Sequence, residues 1–376
     1  MERRIFLSPP WMSGDELSLV HEAFDSNYIA PCGPMVDRFE RVFASRVQIP
    51  YAVALASGTA ALDLLFHELG VTRGDFIFCS DLTFISSIGP AFHRGARPVF
   101  LDCDEATWTM NPELLEEALA DANRQNRLPK AVVAVDLYGQ CSDYDRIERL
   151  CKSYEVPLII DTAEALGARY GTRSAGDAGM ASVYSFNGNK IITTSGGGML
   201  CSRDRGIVER ARKRSQQSRE SVAWYEHLEV GYNYRMSNIV AAIGVGQLAH
   251  LDEILRKKRE IESWYRAGLP DFTFMPEASY GTSNRWLTVV QFPEQGAGRN
   301  GTLSAMVERM RQTLEQENIE SRPVWKPMHL QPVFQGCLCY GGSCSERLFA
   351  NGLCLPSGVS LTRSDADRVI ETLHAS

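Results

Sequence analysis

The sequence predicts an α/β protein built on a mainly parallel sheet with helices on both faces. Three observations lead there. Short β-branched runs alternate with amphipathic stretches from about Tyr51 to Ser202, most of those runs are continuously apolar, and the chemically distinctive residues sit just after them. Continuous apolarity marks strands covered on both faces. Repeated β–α alternation marks a parallel sheet, whose ligands gather outside the carboxyl ends of the strands.

Seven strands are expected, at Tyr51–Ala56, Phe76–Ser80, Pro98–Asp102, Ala131–Leu137, Pro157–Asp161, Ser182–Phe186 and Gly198–Ser202. Helical patterns lie between them at Thr59–Leu69, Pro112–Ala120 and Tyr144–Tyr154. A basic stretch follows, with Arg203, Arg205, Arg210, Arg212, Lys213, Arg214 and Arg219. It reads as a solvated helix face, with the alternative that one or two of these arginines meet a diphosphate. A long helix is expected from Asn238 past Leu255, leading into a smaller C-terminal α+β domain. The division is placed between a large domain at 1–248 and a small one at 249–376.

The whole chain limits the function classes. It has 376 residues, 44% hydrophobic and 23% charged, with a formal net charge of -7. An acidic balance argues against nucleic acid as the partner. The start Met-Glu-Arg-Arg-Ile-Phe lacks the apolar stretch of a signal peptide, and the run Ile239–Gly246 is too short to span a bilayer. A cytoplasmic protein without membrane contact is the expectation. Among ten cysteines, Cys79, Cys103 and Cys201 end apolar runs and read as buried small hydrophobes in a reduced protein. Cys337, Cys339, Cys344 and Cys354 contain no CxxC pair and fit no common zinc spacing. They read as thiols on a Gly-rich surface loop, with no metal.

Three strand exits carry chemistry. At the first, Ser57-Gly58-Thr59 turns a strand into a helix and aims backbone N–H groups at one place. That is an anion site, or else a plain helix cap. No GxxxxGK motif exists, and the Gly196–Gly198 run precedes a strand, so neither a P-loop nor a dinucleotide fingerprint is present. At the fifth exit an apolar strand ends in Asp161. A buried carboxylate without a cationic partner costs several kcal/mol, and a protonated pyridine nitrogen would be such a partner. The alternative is a carboxylate satisfied by nearby backbone. At the sixth exit stands Ser185-Phe186-Asn187-Gly188-Asn189-Lys190. A lysine among small uncharged residues, off any solvated face, suits a nucleophilic amine, the alternative being a structural lysine beside glycines.

In these blocks the chain resembles the fold-type I, DegT-type sugar-nucleotide aminotransferases. The likeness runs from Ile5-Phe6-Leu7-Ser8 to Leu355-Pro356. It also takes in Leu137-Tyr138-Gly139-Gln140, Asp161 through Gly167, Gly231 through Met236 and Met328-His329-Leu330-Gln331-Pro332. The resemblance implies a pyridoxal phosphate (PLP) aminotransferase that passes through the pyridoxamine phosphate (PMP) form. Lys190 would hold the cofactor as a Schiff base and Asp161 would pair with its ring nitrogen. Gly58, Thr59 and Ser185 would hold its phosphate, helped by Asn233 from the other subunit of a homodimer. Phe84 would stack on the ring, and Glu164, at a position often Gln, would lie near the ring hydroxyl. For the substrate it implies Tyr28, Ala30 and Pro31 on one loop, with Asn187, Trp325, Lys326 and His329. The form of residues 186–190 resembles the branch acting on UDP-linked 4-keto-6-deoxy-N-acetyl sugars in bacterial glycan synthesis. Amination at C4 with L-glutamate as donor would follow. Two rivals are a PLP-dependent deoxysugar dehydratase, where histidine typically replaces the lysine, and a regulatory protein that kept the fold without turnover. An NAD-dependent oxidoreductase would need an early GxGxxG, which is absent.

Overall fold

The computed structural model describes residues 3–293 and 301–375. Its main sheet has eight strands: β1 (Tyr51–Leu55), β2 (Phe76–Ser80), β3 (Arg97–Leu101), β4 (Ala131–Val135), β5 (Leu158–Asp161), β6 (Ala181–Ser185), β7 (Gly198–Ser202) and β8 (Leu338–Tyr340). Their order across the sheet is β1-β7-β6-β5-β4-β2-β3-β8. Only β7 runs antiparallel to its neighbours, with Leu55 opposite Gly198 on one side and Ser185 opposite Gly198 on the other. The central strands are buried along their whole length, as their unbroken apolar runs require. Helices Gly58–Glu68 and Arg205–Ser215 pack on one face of the sheet, and Pro112–Arg124 and Tyr144–Ser153 on the other.

Seven strands stand where the apolar runs place them. The eighth comes from the C-terminal part of the chain: Leu338, Cys339 and Tyr340 pair in parallel with Val99, Phe100 and Leu101. A three-residue edge strand has too few residues to show a period of two, which is why this segment reads as loop. The expected Gly-rich surface loop is therefore corrected. Cys339 lies on β8, Cys344 is buried in helix Ser343–Asn351, and Cys354 is buried in strand Gly352–Leu355.

The long helix expected from Asn238 is two helices, Asn238–Ala249 and Leu251–Gly268, meeting at His250. The two segments have different surroundings. The first is apolar nearly all round and packs against helices Glu16–Asp25 and Pro34–Val47. The second is amphipathic and lays its apolar side on Arg363–His374 and a smaller antiparallel sheet. That sheet runs Thr273–Phe274, Thr288–Gln291, Gly352–Leu355, Arg322–Pro323. Near the N-terminus, Ile5 bridges to Ile319 and joins the small-sheet core, while Leu7 and Trp11 pack against the large core. Among the described residues, no helix is long and apolar enough to cross a membrane.

Candidate active site

The ends of β1, β2, β5 and β6 open into one cavity of about 270 Å³. At the end of β1, Ser57 caps helix Gly58–Glu68, its Oγ accepting the Ala60 N–H at 3.0 Å. Gly58 and Thr59 begin that helix, so their N–H groups have no partner inside it and are suited to an anion. Gly198 makes the close approach of β7 possible, since a Cβ there would strike the Ser57 and Gly58 backbone. Ser185, ending β6, lies beside Gly58 on the cavity wall.

At the other side stands a pair of buried carboxylates. Asp161 accepts from the Ser87 hydroxyl at 2.7 Å and the Ala163 N–H at 3.1 Å, and Ser87 is in turn 2.7 Å from the Thr83 hydroxyl. Glu164 accepts the Tyr138 N–H at 2.8 Å. Burial pushes both carboxyls above their ordinary range; Ser87, Ala163 and then Lys190 partly offset this for Asp161, and Lys190 and Tyr138 for Glu164. Lys190 Nζ is 3.6 Å from Glu164 and 4.0 Å from the centre of the Trp286 ring. Trp286 is the first of four aromatic side chains in contact: Tyr138 stacks on it and on Trp325, and Trp325 meets Phe84 at 5.6 Å. The buried indole nitrogen of Trp325 completes no hydrogen bond of normal geometry, but it lies close enough to Glu164 to help hold that carboxyl down. An anion cradle, two buried carboxyls pushed up by burial and a lysine beside Glu164 fit a flat cationic ring carrying a phosphate.

A second cavity, about 770 Å³, adjoins the first through Asn189, Trp286 and Trp325. Residues Phe6 to Pro10, Arg322 and Lys326 also line it.

Of the residues singled out in sequence, Gly58, Thr59, Phe84, Asp161, Glu164, Ser185, Asn187, Lys190 and Trp325 line the first cavity. Lys326 lines the second. His329 lines neither cavity. Its Nδ1 is 2.7 Å from Asp81, and its Nε2 is 3.2 Å from Glu346. Asn233 and Pro31 lie outside both, in a separate open cleft with Gln216 and Arg219. Tyr28 is exposed nearby in sequence, and the Ala30 carbonyl accepts the Asn238 N–H. Sequence reading passed over Thr83, Ser87, Tyr138 and Trp286 as site residues. Ser87 was findable, because it follows the exit of β2. Tyr138 sits at φ 48°, an uncommon left-handed conformation for a tyrosine, and pattern alone does not reveal it. Trp286 arrives from the small sheet, and no local signal marks it.

A family model described as the DegT/DnrJ/EryC1/StrS aminotransferase family matches residues 10–374. The chain is 47% identical over 380 residues to "Putative pyridoxal phosphate-dependent aminotransferase EpsN" of Bacillus subtilis, covering 99% of this chain and 96% of that protein. It is 33% identical to a GDP-perosamine synthase of Caulobacter vibrioides, covering 98% and 97%. Among solved structures, the aminotransferase TlmJ from Streptoalloteichus hindustanus superposes with a TM-score of 0.90 at 29% identity, covering 99% and 98%.

The His329 cluster generates a prediction of its own. Burial lowers the His329 pKa, but the hydrogen bond and charge of Asp81, with Glu346, outweigh it and raise the value. A histidine raised in the folded state adds stability that is complete below about pH 6.5 and is lost as pH rises through the folded value. Denaturant melts from pH 5.5 to 8.5 should show this loss for the wild type. His329→Gln should be less stable at the acid end and flatter with pH; an unchanged slope would remove the clasp from the account.

Proposed function

The chain belongs to the DegT/DnrJ/EryC1/StrS aminotransferase family, and from that premise we propose its acceptor, its donor and the roles of its residues. It is a sugar aminotransferase whose cofactor is pyridoxal phosphate. The finer reading is that it moves an amino group from L-glutamate to C4 of a UDP-linked 4-keto-6-deoxy-2-acetamido sugar, in the cytoplasm, for bacterial glycan synthesis. The observation that carries the chemistry is Lys190 held between Glu164 and Trp286 in a cavity that also contains Asp161 and the Gly58–Thr59 helix start.

The bound cofactor supplies an electron-withdrawing ring that lets a C–H bond next to the amine ionise. The chain's residues do the rest. Gly58 and Thr59 N–H groups and the Ser185 hydroxyl would hold the phosphate. Asp161, held by Ser87, would keep the ring nitrogen protonated. Phe84 would cover the ring, and Glu164 would lie near its hydroxyl. Lys190 Nζ would anchor the cofactor and move the proton to and from the substrate carbon. Trp286 and Tyr138 exclude water from that amine. Asn187, Trp325 and Lys326 meet the acceptor, whose bulk the adjoining cavity accommodates. His329 is retained as a substrate-side residue acting through its cluster with Asp81.

Two copies are part of the reading. Asn233, Tyr28, Ala30 and Pro31 lie away from their own chain's cavity and serve the partner's. Support comes from the exposed apolar segment that continues from Val222 and Ala223, which share the cleft of Pro31 and Asn233: Tyr225 is 81% exposed, Leu228 79%, Val230 87% and Trp224 63%. A monomer seldom displays so many large apolar side chains together. A second acceptor reading, a GDP-linked sugar, is favoured by the relative named GDP-perosamine synthase.

Three measurements test this. Lys190→Ala should fold and still take up cofactor, without the absorbance band of a lysine-bound form, and lose more than the ~10²–10⁴-fold that acid–base catalysis alone supplies. Near-wild-type turnover by a folded variant would refute the role of Lys190. The PMP form, mixed with a panel of UDP-, GDP- and dTDP-linked keto sugars, should return to PLP with the UDP compound. Response to the GDP compound alone selects the second reading. Sedimentation of the loaded enzyme at micromolar concentration should give a dimer; a fully active monomer is the outcome that defeats the shared site.

A further inference from the structure

Helix Leu251–Gly268 sends one lysine into the interior. Lys258 is 2% exposed, and its Nζ donates to two backbone carbonyls, Trp286 O at 3.0 Å and Ser357 O at 2.6 Å. Among the described residues no carboxylate bonds to it, and burial pushes it down to about 7. The donor count fits a neutral amine. Two N–H groups meet two acceptors, whereas the ammonium has a third N–H with nowhere to go.

Both acceptors matter for their surroundings. Ser357 is fixed to the small sheet, its N–H on Leu7 O at 2.7 Å and its Oγ accepting the Thr288 N–H at 2.8 Å. Trp286 is the wall of the active site. Its indole N–H donates to Asn189 O at 2.7 Å, and its ring faces Lys190 Nζ at 4.0 Å. Its backbone N–H donates to Asn284 Oδ1, and Asn284 reaches the Glu164 carbonyl at 2.9 Å. The Lys258 amine thus ties a wall of the cofactor cavity to a rigid strand end.

We propose that Lys258 is a positioning residue of the active site: as a neutral amine it pins the Trp286 carbonyl to the Ser357 carbonyl and so fixes the indole against Lys190, and protonation loosens that wall. The inference rests on Lys190 being the cofactor lysine. The charged groups on the elements around Lys258 are engaged elsewhere. On its own helix, Glu262 pairs with Arg266 and Arg285. Beside Trp286, Arg285 is held by Glu262 and Glu277. Residues 352–361 carry a single titratable side chain, Cys354, whose thiol burial pushes up to about 12. Lys190 and Glu164 lie across the Trp286 ring.

The test compares full-length wild type, Lys258→Met, Lys258→Arg and Trp286→Phe. In wild type, the PLP form reacting with L-glutamate should slow about tenfold from pH 8 to pH 6, as the neutral fraction falls. Lys258→Met keeps the volume and removes the titration, so its rate should be lower at pH 8 and flat across this range. Lys258→Arg, charged throughout, should be slow at every pH. A second readout needs neither cofactor nor substrate. Tryptophan emission of the cofactor-free protein should titrate with a midpoint near 7, and both Lys258→Met and Trp286→Phe should abolish that component. If it persists in Trp286→Phe, or if Lys258→Met keeps the wild-type acid limb, the proposal is overturned. Should Lys258→Met fail to fold, wild type against Trp286→Phe still decides it. Absence of any reaction with glutamate, with the emission titration intact, would count against the donor assignment alone.

Discussion

Two carboxylates are buried at the end of β5 with one lysine amine for company, and most of the site's architecture follows from them. Asp161 and Glu164 are both shut away from water, where an ionised carboxylate is costly unless paired or hydrogen-bonded. The protein provides what it can. Ser87, backed by Thr83, and the Ala163 N–H serve Asp161; Tyr138 N–H and Lys190 serve Glu164. Asp161 still lacks a directly bonded cation. A cationic ring nitrogen would complete that account, and this is the role proposed for Asp161.

Placing those groups requires several strands to end at one level. β1, β2, β5 and β6 do so because they run in one direction, with only β7 reversed between β1 and β6, and each exit adds its own piece. The close join of β1 with β7 depends on Gly198 having no side chain. From the opposite direction, the small sheet contributes Trp286, and Tyr138 stacks between it and Trp325. Lys190 is therefore bounded by polar strand ends on one side and aromatic faces on the other. Such a low-dielectric boundary strengthens the interaction of its amine with Glu164 beyond what an exposed pair would feel.

How much of this was legible in sequence depended on whether the signal was local. Seven strands announce themselves through unbroken apolar runs, and Asp161, Ser185 and Lys190 stand at their exits, where an α/β sheet puts its ligands. β8 was not legible, since three residues at an edge carry no period. The break at His250 was not legible because both flanking segments read as helix; what changes there is the apolar face, from all-round to one-sided, and with it the packing partners. Trp286 and Tyr138 lie beyond such methods. One depends on how the small sheet docks; the other on a left-handed backbone that tyrosine rarely adopts.

The same distinction separates chemistry from specificity. The groups proposed to handle the cofactor sit at strand ends of one chain, close together, so their roles can be argued from geometry. Pro31 and Asn233 line a separate cleft with Val222 and Ala223, and the chain continues from there into exposed Trp224, Tyr225, Leu228 and Val230. Apolar side chains of that size gain little by facing water, and each buries well only against a complementary surface. In the proposed dimer a second copy of the chain would supply one and bring those residues toward a cavity not their own. Which nucleotide and which sugar fit would then be decided by two surfaces meeting. That explains why a short motif at 186–190 speaks clearly about the lysine and only faintly about the acceptor.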